Sequence, residues 1–403
     1  MLALQFVRSP VRYGLVRATG GNARVATGDL SMLHFGDLPQ RPLPTERWMR
    51  VRPRLSGICG SDLAAITGHA SLYLAALTSY PFVPGHEVVG EVDGQRVVIE
   101  PALGCEVRGV APPCARCAEG RPGLCEHLTE GDLAVGLQTG YCQSTGGGWG
   151  EELVAHPSQL HSVPAGLPDE AAVLIEPFAC AVHAVLRAWP RPEDTVLVSG
   201  AGTIGLLTTA AVRTFASPRR LIVVAKHPAQ RELAQELGAD LVISPSETVQ
   251  RLRFQAGAHR VDGPGGSLLL GGPEVTFECT GTAGALSLAA RLTRAGGRLV
   301  TVGMPGEVKV DWGPIWQREL NVLGAYAYGT EGPSSDDAVP RRTFELALEA
   351  ACGLHLERLT GPLFELGAYR EAIEYASEAG RLGAVKVAFD LRVGSTGQCG
   401  AAV

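Results

Sequence analysis

The sequence predicts an α/β protein in which a mainly β region is followed by a doubly wound parallel sheet, and three observations carry that reading. Up to about residue 188 the chain is rich in Gly, Pro and short β-branched runs. Stretches such as "WMRVRPRLSGICGSD" and "FVPGHEVVGEVDGQRVVIEP" read as short strands separated by turns. From "DTVLVSGAGTIGLLTTAAVRTF" onward, apolar strands alternate with amphipathic helices: "RLIVVA", "PAQRELAQELGAD", "EVTFECTG", "ALSLAARLTRAGG" and "RLVTVGMP". Alternation of that kind implies parallel strands joined by crossover helices. Thirdly, Gly200, Gly202 and Gly205 form G-x-G-x-x-G directly after the apolar run "TVLVS" and at the head of an apolar-periodic helix.

The remaining segments follow in order. From about residue 326 the pattern becomes mixed, with a helix expected at "AYREAIEYASEAG" and a strand at "AVKVAFDLR". The stretches "GGNARVATGD" and "GSTGQCGAAV" read as a surface loop and a frayed tail. A chain of 403 residues, 45% hydrophobic and 19% charged, is long enough to bury sizeable cores and to divide into two or three domains.

Composition narrows the function classes. The net charge of -6 and the absence of a long Lys or Arg run give no basis for a nucleic-acid or membrane-surface partner, so a small molecule is expected. No stretch reaches the roughly 18 apolar residues that span a bilayer, and the start lacks the apolar core of a secretory signal. The expected location is the cytoplasm. Ten cysteines are too few for a disulfide scaffold, and in a reducing compartment their clustering raises the question of a metal.

The glycine motif, with Thr203 and Ile204 at its variable positions, suits a dinucleotide. The glycines let the backbone approach a pyrophosphate that faces the helix N-terminus. An acidic residue about 20 positions further on would bind the adenosine ribose. Here "LIVVAKHPAQR" offers Ala225, Lys226 and His227, with Arg231 as a second cation or a plain helix-surface arginine. A carboxylate would repel a 2'-phosphate, whereas a lysine beside a missing carboxylate accommodates one, so NADP is favoured over NAD. The alternative is a solvated Lys226 and an indifferent site.

The first region supplies metal-ligating chemistry. "GICGSD" carries Cys59, "PGHEVVG" carries His86 and Glu87, and "LIEPFACAVHA" carries Glu176. A thiolate, an imidazole and carboxylates drawn from distant segments suit a zinc with an open position, which catalysis requires.

Through "GICGSD", "PGHEVVGEV", "CARCAEGRPGLC", "IEP...HA", "GAGTIG" and "AVKVAFD", the chain resembles the zinc-dependent medium-chain alcohol and polyol dehydrogenases from about Arg50 to Asp390. The resemblance implies a partly closed, GroES-like catalytic domain formed by both ends of the chain, with a Rossmann domain inserted. The corresponding boundaries are 1–180, 181–325 and 326–403, with a structural-zinc lobe at about 101–127. It also implies a homodimer or homotetramer. Carried over, Cys59 and His86 are catalytic-zinc ligands and Glu87 a direct or alternating one. Glu176 stands where alcohol-type members have a cysteine and polyol-type members a glutamate that binds zinc or its water; Cys180 is a less favoured ligand. Asp62 would accept the other ring N–H of His86. Ser61 would pass the substrate proton outward, and it is also readable as the N-cap of a helix begun by "SDLAAITG". Many relatives place a relay histidine where this chain has Ala64, which leaves the proton exit to water, the cofactor ribose or an inward-folded His69.

The family's lobe binds a second, structural zinc through C-x2-C-x2-C-x7-C. Cys114, Cys117 and Cys125 fit its last three positions, and Cys105 is the first, behind six extra residues in "EVRGVAPP". A longer loop adds little closure entropy, so four thiolates can still close around one ion.

The expected reaction is hydride transfer between NADP(H) and a secondary alcohol or ketone, such as a polyol or sugar. The cleft segments would be "GHASLYLAALTSYP", "GYCQSTGGGWG" and "GAYAYGTEG". Their Tyr73, Trp149 and Tyr326 are equally readable as packing aromatics; Gln138 and Ser144 favour a hydroxylated substrate. Two other readings are a zinc-free NADPH-dependent quinone or enoyl reductase of the same fold, and a non-catalytic nucleotide-binding protein.

Overall fold

The chain opens with β1 (Leu2–Phe6), which pairs antiparallel with β2 (Leu33–Asp37). This is a computed structural model, describing residues 1–332 and 339–392. Between these strands lie α1 (Pro10–Ala18), capped by the Ser9 hydroxyl, and α2 (Ala23–Thr27), capped by Asn22 Oδ1 accepting from the amides of Arg24 and Val25. The "GGNARVATGD" stretch is therefore a helix and not the loop expected. Gly20 and Gly21, both at φ +71°, turn the chain, and Asn22 satisfies the first amides of a helix too short to show periodicity.

The β region continues with β3 (Met49–Gly57), α3 (Gly60–Ile66), β4 (Val88–Val92) and β5 (Gln95–Ile99). After a lobe holding α4 (Ala115–Ala118) come β6 (Leu153–Ala155), β7 (Leu160–Ser162) and α5 (Asp169–Ala172). The fourteen-residue α6 (Ile175–Ala188) is apolar on most sides and buried, and it leads into the second region.

There β8 (Thr195–Ser199), α7 (Thr203–Phe215), β9 (Arg220–Val224), α8 (Pro228–Glu236), β10 (Leu241–Ile243) and α9 (Thr248–Gln255) form the first half. An exposed hairpin, β11 (His259–Gly263) and β12 (Gly266–Leu270), follows; its register is carried by the "GPGG" turn. The second half is β13 (Val275–Glu278), α10 (Ala283–Leu292), β14 (Arg298–Thr301), α11 (Gly313–Gln317) and β15 (Asn321–Gly324). All neighbours are parallel and the order is β10-β9-β8-β13-β14-β15. Strand order reverses between β8 and β13, and it is outside the carboxyl ends of the strands at such a switch point that open α/β sheets bind ligands.

The chain then returns through the short pair β16 (Thr330–Glu331) and β17 (Arg341–Arg342), α12 (Thr343–Ala351), β18 (Thr360–Glu365), α13 (Tyr369–Ser377) and β19 (Lys386–Asp390). β19 pairs antiparallel with β3, giving a sheet ordered β18-β19-β3-β4-β5-β7, with β6 also on β3. Both ends of the chain thus build one sheet around an inserted parallel one. A common core of α6, α7 and α12 joins the two regions. The "GSTGQCGAAV" tail lies outside the described residues.

Candidate active site and metal centres

The three motif glycines have three separate geometric tasks. Gly200 sits at φ +103°, which turns β8 sharply into α7. A Cβ on Gly205 would lie 1.9 Å from the Gly200 carbonyl oxygen, so only glycine lets the helix pack this close to the strand. Around Gly202 nothing lies within 4 Å of such an atom, which leaves its backbone open to a ligand. Thr203 is anchored instead, its hydroxyl donating to Val385 O at 3.1 Å, and Ile204 packs on the core. At the end of β9, Ala225 is buried, Lys226 is exposed and His227 caps α8. Arg231 reaches back from α8 to donate to the carbonyls of Ala225 (3.2 Å) and Lys226 (3.4 Å), so it braces this turn.

Beyond β3, α3 starts at Gly60 with Cys59 as its N-cap. Ser61 lies in the first helical turn, so the N-cap expectation for it is corrected. Its hydroxyl is buried without a hydrogen-bond partner. Asp62, 2% exposed, accepts from the Cys59 amide through Oδ2 (3.0 Å) and faces His86 Nδ1 through Oδ1 at 3.6 Å. Cys59, His86 and Glu87 each offer a ligand atom within 4.8 Å of the others. Burial alone would lower the His86 pKa, but Asp62 and Cys59 outweigh it and hold the ring well above its ordinary value. Yet His86 Nδ1 has no hydrogen-bond partner. A cysteine sulfur, an imidazole nitrogen and a carboxylate oxygen this close together are donors that suit a divalent ion. The donor set fits zinc.

Glu87 is not free. Lys386, also buried, donates to both of its carboxylate oxygens (2.7 and 2.5 Å) and to Ile58 O. A Cβ on Gly57 would sit 2.1 Å from Glu87 Oε2, so that glycine makes room for the pair. Lys386 escaped the sequence reading. Its signal was a lysine in the apolar strand "AVKVAFD", where an unpaired cation is rarely buried.

Glu176 projects from the first turn of α6, 7% exposed. Burial pushes its carboxyl up to about 7, with Glu87 adding to the rise and His86 and Lys386 opposing it. It stands beside the ligand cluster but outside the mutually close set, an arrangement suited to holding a metal-bound ligand or reorienting onto the ion. Cys180, one turn on, directs its thiol at Glu176 Oε1 (3.7 Å) and is likewise outside the set.

Several expected cleft residues are placed elsewhere. His69 is exposed, with Nδ1 3.1 Å from Thr67 Oγ1 and its ring against Gly21, so it does not fold inward toward Ser61 and Ala64. Trp149 is fully buried with Nε1 donating to Gly57 O, and is a packing aromatic. The Ser144 hydroxyl accepts from the Ala134 amide and so holds its own loop. Tyr73 is exposed, and the Tyr326 hydroxyl approaches Gln138 Oε1 at 3.5 Å.

In the lobe, Cys105, Cys114, Cys117 and Cys125 converge within ligand-sharing distance, with Cys105 and Cys125 sulfurs 3.6 Å apart. Every sulfur accepts a backbone amide: Cys114 N to Cys105, Cys117 N and Glu126 N to Cys114, Cys105 N to Cys117, and His127 N to Cys125, at 3.3–3.5 Å. Burial raises the Cys114 thiol, but the Glu126 and Cys117 amides overcome it and bring it down to about 6. Burial and Cys105 push Cys125 up to about 11. Four packed thiols cannot all ionise unaided, and a divalent ion removes that conflict. The six extra residues are stapled by fully buried Arg108, whose guanidinium donates to Leu103 O (2.9 Å), Gly136 O (2.7 Å) and three further carbonyls. His127 Nδ1, 3.6 Å from Cys105 Sγ, is a further donor the sequence reading missed.

Family models agree with this geometry. "Alcohol dehydrogenase GroES-like domain" matches residues 45–165 and "Zinc-binding dehydrogenase" matches residues 203–339. The chain is 30% identical to L-idonate 5-dehydrogenase of Vitis vinifera, over 71% of this chain and 75% of that one. It is 34% identical to erythritol/L-threitol dehydrogenase of Mycolicibacterium smegmatis, over 72% and 78%. Among solved structures, it is similar to a Sinorhizobium meliloti 1021 protein described as a zinc-binding dehydrogenase and bound to NADP. There the TM-score is 0.66 and the identity 27%, covering 89% of this chain and 95% of that one. The fold and these relatives define the class, an oxidoreductase acting on hydroxyl-bearing substrates. The chain belongs to the zinc-dependent medium-chain polyol dehydrogenase family and is an alcohol dehydrogenase. No helix among the described residues is long and apolar enough to cross a membrane.

Proposed function

We propose that this protein transfers a hydride between NADP(H) and a secondary alcohol or ketone of the polyol or sugar type, using one catalytic and one structural zinc. The observation that carries the reading is that Cys59, His86 and Glu87, from separate segments of the chain, each offer a ligand atom within 4.8 Å of the others. Bound there, zinc would supply Lewis-acid polarisation of the substrate oxygen, and the nicotinamide cofactor would supply the hydride chemistry. Cys59 and His86 hold the ion. Asp62 orients His86 and fixes which nitrogen faces the metal. Ser61, whose Oγ has no other partner, receives the proton of the substrate hydroxyl and passes it to water or the cofactor ribose, since Ala64 offers no base and His69 points away. Glu176, held near neutral pKa, orients water or substrate hydroxyl at the open side.

The Gly200, Gly202 and Gly205 turn receives the pyrophosphate, with Thr203 and Ile204 opening α7 beneath it. Preference for NADP is supported by Ala225 at the ribose position, the exposed Lys226 beside it with His227 and Arg231 adjacent, and the NADP-bound relative. A hydroxylated substrate is supported by the idonate and erythritol/threitol relatives. The test is elemental zinc per chain with parallel NADP and NAD titrations. Two zinc ions and tighter NADP binding are expected. One zinc, retained in Cys59→Ala and lost in Cys105→Ala, would overturn the mechanism.

A further inference from the structure

The partners of Asp62 single out a residue that no motif contains. Tyr141, from the loop between the lobe and β6, donates its hydroxyl to Asp62 Oδ1 at 3.1 Å, the same oxygen that faces His86 Nδ1. Its ring lies 5.8 Å from that of His86 and 5.2 Å from Phe82, and Phe82 in turn stacks on Phe6 of β1 at 5.1 Å. The phenol is thus braced on one side by a buried aromatic pair and on the other by the imidazole.

Two glycines bring it there. Gly85 (φ +96°) precedes His86 and Gly140 (φ +84°) precedes Tyr141. A Cβ on Gly140 would meet the Gly85 backbone at 2.9–3.3 Å. Both residues therefore need glycine for their dihedrals, and Gly140 also needs it for the contact. Their backbones touch, which sets the next residue of each segment, His86 and Tyr141, side by side.

We propose that Tyr141 is a positioning residue of the catalytic metal centre, fixing the Asp62 carboxylate so that it holds His86 in ligating orientation. Among the described residues, three groups direct Asp62: the Cys59 amide on Oδ2, and Tyr141 and His86 on Oδ1. Without the phenol the carboxylate rotates about its one remaining backbone contact, and the His86 ring follows it. This rests on the reading that Cys59 and His86 hold a metal.

The test uses the full chain with cobalt(II) exchanged into the catalytic site and zinc left in the lobe, elemental analysis checking the loading. The readouts are cobalt affinity and the visible ligand-field spectrum, neither of which requires substrate. Tyr141→Phe removes one oxygen and should weaken cobalt binding about tenfold, the scale for partners of ligating histidines. Its ligand-field bands should move, while the melting temperature stays near that of the parent. Parental affinity and bands in Tyr141→Phe would overturn the proposal while leaving the catalytic-metal reading intact. A parent that takes up no cobalt beyond the lobe would overturn both. Should Tyr141→Phe not fold, 3-fluorotyrosine at position 141 keeps the ring and strengthens the donor; shifted bands support the proposal and unchanged bands overturn it.

Discussion

The lobe between Cys105 and Cys125 and the cluster around His86 both bring metal-ligating side chains together, yet they are assembled in contrasting ways. In the lobe the donors come from one stretch of chain, each sulfur accepts a backbone amide, and the site closes on itself. In the cluster the groups come from the end of β3, the approach to β4, the first turn of α6 and the far end of the chain in β19. There the polar atoms are left partly unsatisfied: Ser61 Oγ and His86 Nδ1 are buried without hydrogen-bond partners among the described residues. A closed, saturated set contributes to stability; an open, unsaturated one is available for chemistry.

The largest expected effect breaks the two apart directly. Cys59→Ala should remove one zinc and lower kcat/KM by about a thousandfold or more, since Lewis-acid stabilisation is worth several kcal/mol. Its melting temperature should hardly change. Cys105→Ala should also remove one zinc but lower the apparent melting temperature by roughly 5 °C or more, with residual turnover in the folded fraction. Calorimetry and steady-state rates on the same preparations check this. If both variants lose stability equally while keeping activity, the division between a chemical and a structural centre fails.

Lys386 sharpens the cluster's side of the comparison. With both Glu87 oxygens bonded to a buried ammonium, Lys386→Met leaves a buried carboxylate unpaired and should destabilise the protein by about 3–5 kcal/mol. Adding Glu87→Gln to it should recover most of that loss, because the amide carries no charge to strand. The denaturant midpoints of the single and double variants measure it. A fully additive loss would mean that the pair is not the source.

The same contrast explains what could be read from sequence. The parallel sheet and the glycine turn were legible because strand, turn and helix are contiguous, so spacing alone places them. The lobe was legible once Cys105 was accepted across its longer loop, although Arg108, which staples that loop, looks like any arginine until its five carbonyl partners are assembled by folding. Cys59, His86 and Glu176 could be named but not arranged. Lys386 and Tyr141 were invisible as site residues because their partners lie far away in sequence, across the closed sheet and the Gly85–Gly140 contact. The α2 stretch lies outside the matched family region and was misread as a loop because a five-residue helix shows its cap and no period.

The smallest expected effect concerns His127. Its Nδ1 lies 3.6 Å from Cys105 Sγ, close enough to replace a thiolate, and its own amide already serves Cys125. If the four sulfurs are the ligands, His127→Ala removes only a neighbouring ring, keeps the amide, and should leave the zinc count unchanged and the melting temperature within about 1–2 °C. If instead the imidazole is a ligand and one thiol stands aside, the variant should behave like Cys105→Ala. Four thiolates are favoured, because each of the four sulfurs has an amide donor to spread its charge, while among the described residues the imidazole has no second hydrogen bond that would fix its tautomer for a metal. Zinc analysis of His127→Ala beside Cys105→Ala therefore reads out whether local saturation or donor proximity selects the ligands in the lobe.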